Sequence, residues 1–205
     1  MASASSGPVP RTSWLGDRAD RLTRSPVNYW AGFALDVVGI AVFLVLGFRA
    51  SGAWPVATCA TAVLGFGAWT LWEYNVHRFL FHEAWSPFIH GHLAHHVAPR
   101  HTIGLPFFVA IAIAGLLYSA CRMVMPAPQA YFFTAGAYLG WLYYGILHHV
   151  EHATDLALPS YRRLRRHHLV HHARMSSNFG VSTTVWDRLF GTRLDRSPGS
   201  RRDVS

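Results

Sequence analysis

The sequence predicts an all-α integral membrane protein: four transmembrane helices, paired as two hairpins, carry a cytoplasmic cap of histidine-rich helices. Three observations lead there. Hydrophobic residues make up 51% of the 205 and charged residues 14%, against about 25% charged in soluble domains. Mean hydropathy is only +0.18, so polar tails dilute very apolar stretches. Histidine, at 14 residues, outnumbers the 10 acidic residues.

The first apolar run is Tyr29 to Phe48, long enough for a hydrocarbon core of about 30 Å. Asp36 lies inside it and is expected to face the bundle interior, because a lipid-facing carboxylate is costly there. Arg49–Gly52 reads as a turn. The second run, Trp54 to Trp72, continues without a breaker into Glu73-Tyr-Asn-Val-His77, so its last turns stand above the membrane. The third is Ile103 to Met125, closed by Pro126-Ala-Pro128, a turn signal. The fourth is Gln129 to Leu147, with Gly136 and Gly140 at a spacing that permits close helix packing. Chance in a glycine-rich chain supplies that spacing equally well.

All 18 basic residues are arginine, and 16 fall on the side holding the termini and residues 73–102. The positive-inside rule places that side, with every histidine, in the cytoplasm. Residues 1–28 lack the short apolar core of a secretory signal. The expected organisation is a polar basic tail (1–28), a membrane di-metal domain (29–192) and a polar C-terminal tail (193–205). A pI of about 10.2 would ordinarily raise nucleic acid as a partner, but the apolar runs leave no soluble face for it. Cys59 and Cys121 both sit in apolar runs and form no disulfide scaffold or thiolate metal site.

Helical spacing sorts the histidines. At 100° per residue, His92, His95 and His96 fall within about a 100° arc, and His168, His171 and His172 repeat the arrangement. His148 and His152 are about 40° apart. His77 and His82 are separated by about 140°, so one lies past a helix end or across a bulge. Ten histidines converge, leaving His90, His101, His149 and His167 as secondary. Ten imidazoles exceed one ion's capacity, so two metal ions are the natural count. Imidazole suits iron, zinc, copper and nickel alike.

The order H-x4-H, H-x2-HH, H-x3-H, H-x2-HH resembles the fatty acid hydroxylase/sterol desaturase superfamily of membrane di-metal oxygenases. Trp72–His82 (WEYNVHRFLFH), HLAHH, HHVEH and Arg165–Thr192 (RRHHLVHHARMSSNFGVSTTVWDRLFGT) resemble its fatty acid 2-hydroxylase (sphingolipid alpha-hydroxylase) branch. The resemblance implies that His77, His82, His92, His95, His96, His148, His152, His168, His171 and His172 ligate two ions. It implies iron, with zinc as a possible occupant, and O2 as co-substrate in attack on a C–H bond of a lipid acyl chain drawn from the bilayer. The stretch between His82 and His92 is shorter than in the eukaryotic members. Those also carry a cytochrome-b5-type domain, for which residues 1–28 are too few. Electrons are therefore expected from an external ferredoxin or cytochrome-type donor. The face carrying Arg162, Arg163, Arg165 and Arg166 would either dock an acidic donor or anchor at lipid head groups.

Ligating histidines usually give their second ring N–H to a carboxylate or carbonyl. Glu73, four before His77, and Asp187, after the last triplet, are the candidates; Glu151 and Asp155 flank the third pair. Asn178 is expected near a water or an ion. Trp72, Trp141, Tyr143 and Tyr144 sit where an interfacial aromatic belt belongs. A sterol desaturase or carotenoid ring hydroxylase fits the same superfamily, and the NFGVSTTVWDRLFG segment separates these outcomes poorly. A histidine-based metal transporter or sensor fits less well, because only Asp36 lies mid-span.

Overall fold

A computed structural model describes residues 21–51, 56–82 and 89–195, and every regular element among them is a helix. The elements are α1 (Pro26–Ser51), α2 (Val56–Asn75), a π-helical turn (Val76–Leu80), α3 (Ile89–Val97), α4 (Phe107–Arg122), α5 (Ala127–Ala153), α6 (Pro159–Ala173) and α7 (Val185–Leu189). Most of the two expected tails lies outside the described residues, as do Gly52 and the segment between His82 and α3.

Helix α5 is the axis of the bundle, packed against α1, α2 and α4. Small residues explain how α2 comes so close. A Cβ on Gly136 would lie 1.9 Å from the Ala62 carbonyl oxygen, and one on Gly65 would lie 2.0 Å from that of Phe133. The two backbones are therefore in contact. Gly140 lies under the Trp69 ring. The glycine spacing seen in the sequence is thus a packing surface. Partners along α2 and α5 advance together (Ala62 with Gly136, Trp69 with Gly140), so these helices run parallel.

Helix α1 runs the other way against α5: Gly47 meets Phe132, Gly39 meets Tyr138, and Gly145 meets Phe33. Asp36 is buried at this contact and faces the interior as expected, accepting hydrogen bonds from Tyr138 Oη (2.9 Å) and Trp141 Nε1 (2.8 Å). At the start of α4, Asn28 of α1 donates to the Leu105 carbonyl (3.0 Å) and accepts from the Phe107 amide (3.0 Å). The first turns of α1 and α4 and the last turns of α2 and α5 therefore share one end of the bundle, where the histidines lie.

By length and composition, α1 is the one helix among the described residues apolar and long enough to cross a membrane. Of the four runs expected, α1 alone among the described residues meets both measures. Helix α4 has 16 residues rather than a full span, because Pro106 sets its start and residues 123–125 form a turn. Helices α2 and α5 are long enough, but threonine, glycine and histidine lower their hydropathy. The turn that Pro126-Ala-Pro128 signals falls at residues 123–125, directly before Pro126. The prolines themselves open α5, Pro126 as its cap and Pro128 in its first turn, where proline's missing N–H costs nothing. The helices still carry an apolar exterior, including Val38 and Val42 on α1, Val63 and Leu64 on α2, and Ile113 and Leu116 on α4.

Candidate metal centre

Each helix delivers its histidines at the shared end. Helix α5 continues past Leu147 as one rod, which places His148 and His152 one turn apart. Helices α3 and α6 carry the HLAHH and HLVHH triplets in their last turns. The His77–His82 spacing is resolved by the π-turn. The Phe81 amide bonds back to the Val76 carbonyl (3.1 Å), a five-residue step, and His82 lies just past the helical end.

The ten side chains form two groups of five. His77, His82, His92, His96 and His171 make the first; His95, His148, His152, His168 and His172 make the second. Within each group, one ligand atom per residue lies within 4.8 Å of all the others. The triplets are interleaved, since α3 gives His92 and His96 to the first group and His95 to the second. Helix α6 gives His168 and His172 to the second and His171 to the first.

In the first group, Nε2···Nε2 separations are 3.1 Å (His77–His92), 3.0 Å (His82–His92), 3.0 Å (His92–His96) and 3.2 Å (His82–His171). In the second, they are 2.8 Å (His152–His168) and 3.1 Å (His168–His172). Nitrogens about 2.05 Å from one ion stand about 2.9 Å apart at right angles and about 3.4 Å apart at tetrahedral angles. The observed spacing suits an ion with five or six positions. His95 Nε2, buried with no hydrogen-bond partner, faces the same need. The donor set fits two ions.

The protonation state fits as well. Burial holds His77, His148 and His168 well below the usual imidazole range, with neighbouring histidines adding to the effect. The same causes bring His82 and His152 to about 4 and His95 to about 3. All are neutral at pH 7 and present a lone pair to a metal. Unfolded histidine titrates near 6.5, so the folded chain binds fewer protons below that value. Stability of metal-free protein should be full above about pH 6.5 and be lost as pH falls toward about 4. Thermal unfolding followed from pH 7.5 to 4.5 should show a falling midpoint.

The carboxylates work differently from expectation. Neither Glu73 nor Asp187 touches a ligand directly. His77 Nδ1 instead donates to the Phe179 carbonyl, and His171 Nδ1 to that of Ser177 (2.8 Å). Both nitrogens are thereby fixed as donors, which leaves Nε2 free for a metal. Glu73 and Asp187 hold the backbone that supplies these carbonyls. Glu73 Oε1 accepts from the amides of Val181 (2.6 Å) and Ser182 (3.0 Å). Asp187 accepts from the amides of Phe179 and Gly180 (both 2.8 Å), from Thr192 Oγ1 (2.7 Å) and from His167 Nε2 (2.9 Å). Burial works against the Asp187 charge, but these donors hold its pKa below the ordinary carboxylate range.

Asn178 does not point at the ligands. Its amide donates to the carbonyls of His167 (3.1 Å) and Leu194 (2.8 Å) and accepts from the Leu194 amide (2.7 Å). Its φ of 58° is a left-handed geometry that asparagine tolerates. The spacing reading missed the Ser177 and Phe179 carbonyls. It also did not anticipate how deeply Glu151 is buried, with neither oxygen hydrogen-bonded. Burial, with the Glu73 charge adding, pushes Glu151 up to about 9.

An all-helical scaffold holding two adjacent five-histidine clusters defines a histidine-box protein able to bind metal. The chain belongs to the fatty acid hydroxylase family, whose model matches residues 62–192. It is 32% identical over 150 residues to the ceramide very long chain fatty acid hydroxylase SCS7 of Saccharomyces cerevisiae, covering 66% of this chain and 38% of that protein. It is 34% identical over 188 residues to the fatty acid 2-hydroxylase of Rattus norvegicus, covering 84% of this chain and 46% of that one. The chain thus spans less than half the length of these relatives. A solved structure of full-length scs7p, with only the hydroxylase domain visible, superposes with a TM-score of 0.73 at 26% identity over 89% of this chain and 70% of that one.

Proposed function

We propose that residues 29–192 form a membrane-embedded hydroxylase domain acting on lipid acyl chains, with residues 1–28 and 193–205 as flanking tails. The observation that carries this reading is the pair of five-histidine clusters in a chain whose relatives are named fatty acid and ceramide hydroxylases. Two iron ions held by these histidines would supply reductive activation of O2, with one oxygen atom entering a C–H bond, the other leaving as water, and two electrons consumed. Zinc would fit the same imidazoles without redox chemistry. The chain's own part is to keep ten imidazoles neutral, fix His77 and His171 by backbone carbonyls, and bury His77, His95, His152, His168 and His171 while leaving the other five ligands half-buried, with His148 and His152 facing a cavity. The sterol desaturase and carotenoid hydroxylase readings have no comparable support among the relatives.

The alternating helix directions support four spans in two hairpins, with termini and clusters on the cytoplasmic side where the arginines concentrate. On the cap, a cavity of about 410 Å³ is lined by Arg163, Arg166, Arg188 and Arg193, the last paired with Asp195 of the same wall, with His167 also among its walls. It suits an acidic ferredoxin or cytochrome-type donor. Adding reduced ferredoxin to inside-out vesicles, and not to right-side-out ones, should reduce the centre, more slowly as salt is raised.

Lipid analysis of cells with and without the gene tests the function. Acyl chains should gain the mass of one oxygen only when the gene is present. Unchanged acyl lipids alongside altered sterols or carotenoids would overturn the reading.

A further inference from the structure

The two clusters are not equally accessible. A cavity of about 270 Å³ opens against His95, His148 and His152, all members of the second group, and against no member of the first. Its wall includes His149, whose Nδ1 is hydrogen-bonded to Tyr29 Oη (3.1 Å). Its mouth carries Arg100 and His101, both exposed. The cavity lies at the histidine end of the bundle, beside the first turns of α1. In the orientation proposed above, that is the membrane surface.

Volume and charge together restrict the occupant. Sites that enclose a whole small ligand run to about 300–1,000 Å³, so this cavity holds only the end of a long acyl lipid, with the rest left in the bilayer. A methyl end would gain nothing from a guanidinium at the mouth. An anionic end gains a charge-assisted, two-pronged hydrogen bond. Among the described residues no carboxylate pairs with Arg100, since the ion pairs there engage Arg162, Arg165 and Arg193. The fork is available to a ligand.

We propose that Arg100 and His101 bind the free carboxylate of an unesterified fatty acid, setting its first carbons beside the cluster formed by His95, His148, His152, His168 and His172. The proposal rests on the hydroxylase reading for its meaning and on the cavity alone for its chemistry. Arg100 is a binding residue here and has no role in holding metal.

The test uses full-length, zinc-loaded protein in detergent, where no turnover occurs. Displacement of cis-parinaric acid, a fluorescent fatty acid, is followed with palmitate, methyl palmitate, N-palmitoylsphinganine and dipalmitoyl phosphatidic acid. Palmitate should displace the probe at about tenfold lower concentration than its methyl ester or the sphinganine amide. Arg100→Ala should erase that advantage and leave methyl palmitate unchanged. Equal displacement by acid and ester, or an Arg100→Ala protein that still prefers the acid, would overturn the proposal. So would phosphatidic acid displacing better than palmitate, which would assign the mouth to a phosphate head group. Binding without hydroxylation in cells would sink the hydroxylase reading and leave the site standing. Hydroxylation of ceramide with Arg100 indifferent would do the reverse.

Discussion

Metal analysis of tag-free protein is expected to return two ions per chain, and His168→Ala/His172→Ala to return one with product below detection. His168 is fully buried, and its Nε2 lies 2.8 Å from that of His152 and 3.1 Å from that of His172. Removing the pair leaves His95, His148 and His152 in the second group, two donors fewer than the five present. The first group keeps all five of its members. His149→Ala is the matched control, because His149 adjoins His148 in sequence but bonds to Tyr29. It should retain both ions. One ion in the unaltered protein, or two in the double variant, would refute the two-cluster assignment.

The second large effect is expected at Asp187, which no ion is expected to touch. Its buried carboxylate accepts four hydrogen bonds. Asp187→Ala strands those donors, and each buried unsatisfied group costs about 1–3 kcal/mol. Several kcal/mol is a large part of a typical stability of about 5–15 kcal/mol. The damage also reaches the metal, because the Asp187 partner Phe179 is the residue whose carbonyl orients His77. Asp187→Ala should lower the thermal midpoint and speed loss of metal to a chelator. Loss of an outer hydrogen bond of this kind typically weakens metal affinity about 10–100-fold. Asp187→Asn keeps an acceptor and should be milder on both readouts. Unchanged metal retention in Asp187→Ala would show that the Phe179 carbonyl does not set the His77 ring.

The histidines were legible because helical spacing is fixed by backbone geometry. Hence the faces of α3, α5 and α6 follow from residue numbers alone. What spacing does not reveal is that such a face straddles two clusters. His95 and His96 diverge from His92 in opposite directions around α3, and each direction meets a different neighbour. The expected contact of Glu73 with His77 failed for a local reason. It assumed regular α-helix from residue 73 to 77, and the π-turn that begins at Val76 turns His77 toward Phe179. The carbonyls of Ser177 and Phe179 were invisible because any residue supplies a carbonyl. Four apolar helices were legible as runs, but the glycines that let α2 and α5 touch also dilute the hydropathy that marks a span.

The interleaving of the two triplets has a mechanical meaning. Since α3 and α6 each give ligands to both clusters, the gap between the clusters is bridged by single helical turns, whose rise is stiff at about 5.4 Å. Those helices act as a ruler that neither ion can alter alone. Filling one cluster clamps both helices and half-assembles the other, so the centre should load as a cooperative pair.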